Sequence, residues 1–137
     1  MGNPGEKQKR IIIVEDNVLV EKFFRMALER AGGYSCMITE DVPSILAEVE
    51  AGRADLILLD VSLTSAEWNG QLVNGVELCQ ILKQKSPRHL PVLLATAHAM
   101  SGDRERLLQT SGADDYLEKP VYDSALLVAK VRELMDP

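Results

Sequence analysis

A chain of 137 residues suits one ordinary domain, long enough to bury a core of its own. The apolar share is ordinary and the charged share moderate, which excludes global disorder; aromatics are scarce, so Leu, Val, Ile, Ala and Met must fill the interior. The formal net charge of -6 repels phosphate backbones and anionic lipids, which argues against direct nucleic-acid binding and against a membrane partner.

The opening "MGNPGEKQKR" lacks the apolar stretch of a signal peptide, and no later run is long enough to cross a bilayer. A cytoplasmic protein is expected, with residues 1–9 a flexible lead-in to one domain over 10–137. "RIIIV" (10–14) reads as the first strand. Asn17 caps a helix running to Ala31, whose apolar face is Val20, Phe23, Phe24, Ala27, Leu28 and Ala31, and Gly32-Gly33 ends it. "YSCMI" (34–38) is the second strand, and Val42 to Ala51 a short helix with Pro43 in its first turn. "LILLD" (56–60) is the third strand, followed by an unusually long loop and a helix from Gly75 to Lys85. The "KQK" run (83–85) reads as the solvated last turn of that helix, its cations well placed for the dipole. "PVLLAT" (91–96), a helix over 102–111, "DYLEK" (115–119) and a helix from Val121 to Met135 complete the chain. Cys36 and Cys79 form no CxxC and no metal-like spacing, so both are expected as reduced, packed thiols.

Strand then helix, repeated five times, means a parallel sheet covered on both faces, an α/β doubly wound domain. "IIIV", "LILL" and "VLLA" are apolar throughout, as central strands must be, whereas "YSCMI" and "DYLEK" mix in polar residues, as edge strands do. That fits the strand order 2-1-3-4-5.

All strands of such a sheet point one way, so the residues at their carboxyl ends share one edge. Those positions hold Glu15 and Asp16, Asp60, Thr96 and Lys119. Crowded carboxylates raise each other's pKa unless a cation neutralises them, and an all-oxygen set without His or Cys suits a hard ion such as Mg²⁺. With the Lys119 ammonium and the Thr96 hydroxyl, the edge describes a pocket for a phosphoryl group beside a carboxylate able to attack phosphorus.

At this point the chain resembles a response-regulator receiver domain of two-component signalling, from about Arg10 to Met135. The matching pieces are "VEDN" (14–17), "LLD" (58–60), "ATA" (95–97) and "EKP" (118–120), in order and on the right strand ends. The resemblance implies a flavodoxin-like (βα)5 fold and a role for each residue. Asp60 would accept a phosphoryl group from a histidine kinase or a histidine phosphotransfer protein. Glu15, Asp16, Asp60 and the backbone carbonyl of Ser62 would hold Mg²⁺. Thr96 and Lys119 would bind the phosphoryl oxygens, and the Lys119-Pro120 bond would be cis, an isomer found in about 5–6% of such bonds generally. Tyr116 stands at the family's aromatic switch, where movement of Thr96 would let the ring turn inward. The surface of the fourth helix, fifth strand and fifth helix would then change its affinity for an effector protein. Such a module is not a turnover enzyme.

Plainer readings stand beside these. Asp16 with Asn17 is also ordinary helix-start chemistry. Glu15, Thr96 and Lys119 taken singly are unremarkable strand-end residues, and Tyr116 is an adequate half-buried edge aromatic. His98, two residues past Thr96, is either a surface histidine or a tuner of water access. In the loop 61–74 the family's usual proline is replaced by Thr64, and the stretch runs long, with two Asn-Gly pairs marking tight turns. It is a tolerated insertion, or Trp68 lies over the site as a lid or kinase contact. Ala125, Leu126, Leu127, Val128, Val131 and Leu134 form an apolar band on the last helix; what the core leaves uncovered would seat an effector or a homodimer. A phosphatase of the haloacid dehalogenase type would need a second Asp where Ser62 stands. A pseudo-receiver acting without phosphorylation would have no need of the full acid, Thr and Lys set.

Overall fold

Alternating apolar runs with helical segments leaves the chain one economical solution, and the computed structural model adopts it. It describes residues 8–97 and 103–136. Strands β1 (Arg10–Val14), β2 (Ser35–Ile38), β3 (Leu56–Asp60), β6 (Val92–Thr96) and β7 (Asp115–Glu118) form one parallel sheet in the order β2-β1-β3-β6-β7. Counting only its own five strands, that is the doubly wound order 2-1-3-4-5. The helices are α1 (Val18–Met26), α2 (Val42–Glu50), α3 (Gly75–Lys85), α4 (Asp103–Ser111) and α5 (Ser124–Met135).

Period-two alternation divides the strand side chains between two cores. Ile12, Val14, Ile57, Leu59 and Leu94 face the cluster with α2 and α3, while Ile11, Ile13, Leu56, Leu58 and Leu93 face the one with α1 and α5. The three central strands are buried along almost their whole length, and β2 is half-buried throughout. Each such Leu or Ile contributes about 1.5–3 kcal/mol on leaving water. Cys36 and Cys79 are both free, and burial pushes each thiol up to about 11.

Side-chain caps fix the helix starts. Asn17 accepts from Leu19 and Val20, Asp41 from Ser44, and Asp123 from Ala125 and Leu126. The last cap makes α5 begin at Ser124, three residues later than the apolar pattern predicts. The helix expected to run to Ala31 is regular only to Met26 and closes in a π-helical turn, Ala27–Ala31. Lys83 is not merely solvated: its ammonium meets Asp114 at 2.6 Å.

The largest departure from expectation lies after β3. The first Asn-Gly pair, Asn69 (φ 54°) and Gly70 (φ 78°), turns a short hairpin between β4 (Glu67–Trp68) and β5 (Gln71–Leu72). Two left-handed central residues are what a tight hairpin turn requires. The second pair is no turn at all. Asn74 caps α3 in a capping box with Glu77, and Gly75 is the first helical residue.

Gly75 also closes the loop. Its N–H donates to the Val61 carbonyl at 2.9 Å, and a Cβ there would land on the Asp60 carbonyl oxygen. The insertion leaves and returns at one point, so it lengthens the chain without opening the sheet.

Candidate functional site

Every parallel strand delivers its last residue to the same edge, and register sets which neighbours meet there. Val14 pairs with Leu59 and Asp60 with Ala95, while Thr96 pairs with Glu118. Glu15 and Asp16 follow β1, Asp60 ends β3, Thr96 ends β6 and Lys119 follows β7. The Lys119 amide donates to the Thr96 carbonyl at 2.8 Å, which ties the last two strand ends together.

Glu15, Asp16 and Asp60 each bring a carboxylate oxygen to within 4.8 Å of the others. Glu15 and Asp60 are buried, whereas Asp16 is exposed. The Lys119 ammonium reaches Glu15 Oε1 at 2.7 Å and Asp60 Oδ1 at 3.5 Å. Glu15 Oε2 accepts the Asn17 amide at 3.1 Å, and Asp60 Oδ1 accepts the Ser62 amide at 3.1 Å. No described residue donates a hydrogen bond to Asp60 Oδ2.

The electrostatics follow from one ammonium serving two buried acids. Burial pushes the Glu15 carboxyl above its ordinary value, and the Asp60 charge adds to this; Lys119 and the Asn17 amide only partly offset it. Burial pulls Lys119 down, but the bond to Glu15 and the Asp60 charge outweigh that and hold it above the ordinary lysine value. The ammonium is therefore charged at neutral pH, and Glu15 remains under-compensated. A hard dication is the group that such an all-oxygen set accommodates, and the residues fit Mg²⁺.

In the sequence, Thr64 stands out only for the proline it replaces. In space its Oγ1 donates to Asp16 Oδ2 at 3.0 Å, and neighbouring Ser65 donates to Glu40 at 2.9 Å. Trp68, from the same loop, is half-buried against the apolar cluster beneath α2 and α3. Nothing local marks Thr64 as a partner of Asp16; only the path of the insertion brings them together.

The remaining candidates fall around the rim. Thr96 is buried. The Lys119-Pro120 peptide is cis. Tyr116 is half-buried on β7, with the Arg104 guanidinium 5.2 Å and the Lys130 ammonium 5.7 Å from its ring centre. These three border a cavity of ≈ 530 Å³ between α4, β7 and α5, also lined by Tyr122 and Leu126. Tyr122 and Leu126 are exposed there. His98 lies outside the described residues.

A family model of the response regulator receiver domain matches residues 11–132. The polar-differentiation response regulator DivK of Brucella anthropi is 40% identical over 114 residues, covering 82% of this chain and 85% of that protein. DivK of Brucella ovis is 39% identical over the same shares. Among solved structures, a CheY-like receiver domain protein from Methanospirillum hungatei JF-1 superposes with a TM-score of 0.76 at 28% identity, over 95% of each chain. The receiver domain of a sensor histidine kinase from Pseudomonas aeruginosa PAO1 also gives 0.76 at 28% identity, over 96% of this chain and all of that one. That structure holds a magnesium ion coordinated in its active-site cleft.

Proposed function

We propose that this chain, which belongs to the response-regulator receiver family, is a phosphorylation-dependent switch that takes a phosphoryl group on Asp60. The observation that carries this reading is the meeting of three carboxylates with one ammonium at the carboxyl edge of the sheet. The donor would be a histidine kinase or a histidine phosphotransfer protein, and the receiver unit would run from Arg10.

Glu15, Asp16 and Asp60, with the Ser62 carbonyl, would hold Mg²⁺. When bound, the ion screens these acids from the incoming phosphoryl oxygens. Asp60 is oriented by the Ser62 amide through Oδ1, which leaves its other oxygen to attack phosphorus. As that O–P bond forms, the donor's P–N bond breaks, and its electron pair leaves on the imidazole nitrogen. Lys119 would turn from Glu15 toward the new phosphoryl oxygens, and the Thr96 hydroxyl would donate to them. The inward turn of Tyr116 would then reshape the surface of α4, β7 and α5 for an effector protein, or for a second copy.

A phosphatase of the haloacid dehalogenase type is not favoured, because the position its general acid requires is Ser62. Among the described residues no helix is long and apolar enough to cross a membrane. Intact mass after incubation with Mg²⁺ and acetyl phosphate tests the switch. One phosphoryl group should be added to the parent and none to Asp60→Asn; an unmodified parent would refute the proposal.

A further inference from the structure

We propose that Thr64 is a positioning residue for the acid cluster, its hydroxyl orienting the Asp16 carboxylate as a magnesium ligand. The inference rests on the reading that this cluster takes Mg²⁺.

Asp16 is the one exposed member of the cluster, on a side chain free to turn into solvent. Among the described residues, the single hydrogen bond to its carboxylate comes from Thr64 Oγ1, at 3.0 Å. That bond occupies Oδ2 and leaves the other oxygen for a cation, the arrangement by which an outer partner fixes a ligand's orientation. Mg²⁺ tolerates little departure from octahedral geometry, so a ligand held in place binds it better than one that must be ordered first.

Thr64 is itself braced. Leu63 and Ala66 on either side of the pair Thr64-Ser65 are buried in the cluster beneath α2 and α3. Ser65 Oγ donates to Glu40 Oε2 at 2.9 Å, and the Val73 amide returns to the Ala66 carbonyl at 2.9 Å. The hydroxyl therefore sits on a segment anchored by packing before and after it. This gives the long loop a chemical task at its first turn, separate from any role of the hairpin beyond.

The test is a magnesium titration of the full chain by calorimetry, alongside the magnesium-induced rise in melting temperature. It compares the parent with Thr64→Val, nearly the same shape without the donor, and with Thr64→Ser. The valine variant should bind Mg²⁺ about tenfold more weakly, and the serine variant should recover the parent affinity. Because Thr64 is exposed, all three should melt alike without metal. A valine variant that binds Mg²⁺ as tightly as a binding parent overturns the positioning role alone. Failure of serine to rescue overturns it too. A parent that takes up no Mg²⁺ removes both this inference and the functional reading beneath it.

Discussion

The Lys119 ammonium lies 2.7 Å from Glu15 but 3.5 Å from Asp60, so the cation at this site rests on an acid other than the proposed phosphoacceptor. Glu15 is thereby both a partner for Lys119 and a buried charge that one ammonium does not fully compensate. Its own removal should reveal the second property.

Burial raises the Glu15 pKa above the ordinary 4.5. A folded-state value above the unfolded one gives stability that is complete below 4.5 and lost as pH rises through the folded value. At neutral pH the ionised side chain is thus a net liability without metal. Glu15→Gln should raise the metal-free melting temperature at pH 7, by about 3 °C for each kcal/mol relieved. The advantage should narrow as pH falls toward 4.5, where Glu15 is itself neutral. With saturating Mg²⁺ the order should reverse, since the glutamine offers no anionic oxygen. Thermal scans at several pH values, with and without Mg²⁺, read all three; a variant less stable at pH 7 without metal would contradict the assignment.

Gly75 should be intolerant of a single methyl. The added Cβ meets the Asp60 carbonyl oxygen and comes within 2.7 Å of the Val61 Cα, both backbone atoms that cannot swing aside. Gly75→Ala should cost about 1–3 kcal/mol in urea unfolding, as overpacking generally does. Because the strain falls on Asp60 itself, labelling by acetyl phosphate should slow as well, by about a hundredfold for a displacement near 1 Å. Normal labelling in a destabilised variant would show that the site absorbs the shift elsewhere.

The half-buried Tyr116 ring has two cations beside it, the Arg104 guanidinium at 5.2 Å and the Lys130 ammonium at 5.7 Å. At an exposed site each such contact is worth about 0.5–1 kcal/mol. If phosphorylation turns the ring away from these cations, Arg104→Ala removes an interaction that only the ring position seen here makes. The variant should then bind a phosphoryl analogue such as beryllofluoride about twofold to fivefold more tightly. Ring resonances of Tyr116 should show a larger inward population at equal occupancy. Weaker analogue binding would reverse the sign and remove Tyr116 from the switch.

The strand and helix pattern was legible because local chemistry wrote it. Runs such as "IIIV" and "LILL" could only be central strands, and Asn17 carried its cap on its own side chain, whereas apolar periodicity alone placed the start of the last helix at Val121 and passed over the Asp123 cap. The hairpin was not legible, since strands of two residues carry no period-two signal. Asn74-Gly75 has the same letters as Asn69-Gly70, yet one starts a helix and the other turns a hairpin, because Glu77 stands three residues after the first.

For the site, parallel topology made the strand-end residues predictable as a set: once the sheet is parallel, Glu15, Asp16, Asp60, Thr96 and Lys119 must share an edge. The sequence by itself determined that membership. Which atoms meet was decided by tertiary structure alone, because those contacts depend on register and side-chain rotamers between residues far apart in the chain. Lys119 and Glu15 are separated by 104 positions, and Thr64 and Asp16 by 48. No local propensity acts over such distances; the ordering of strands and the closing of the loop at Gly75 bring each pair within bonding range.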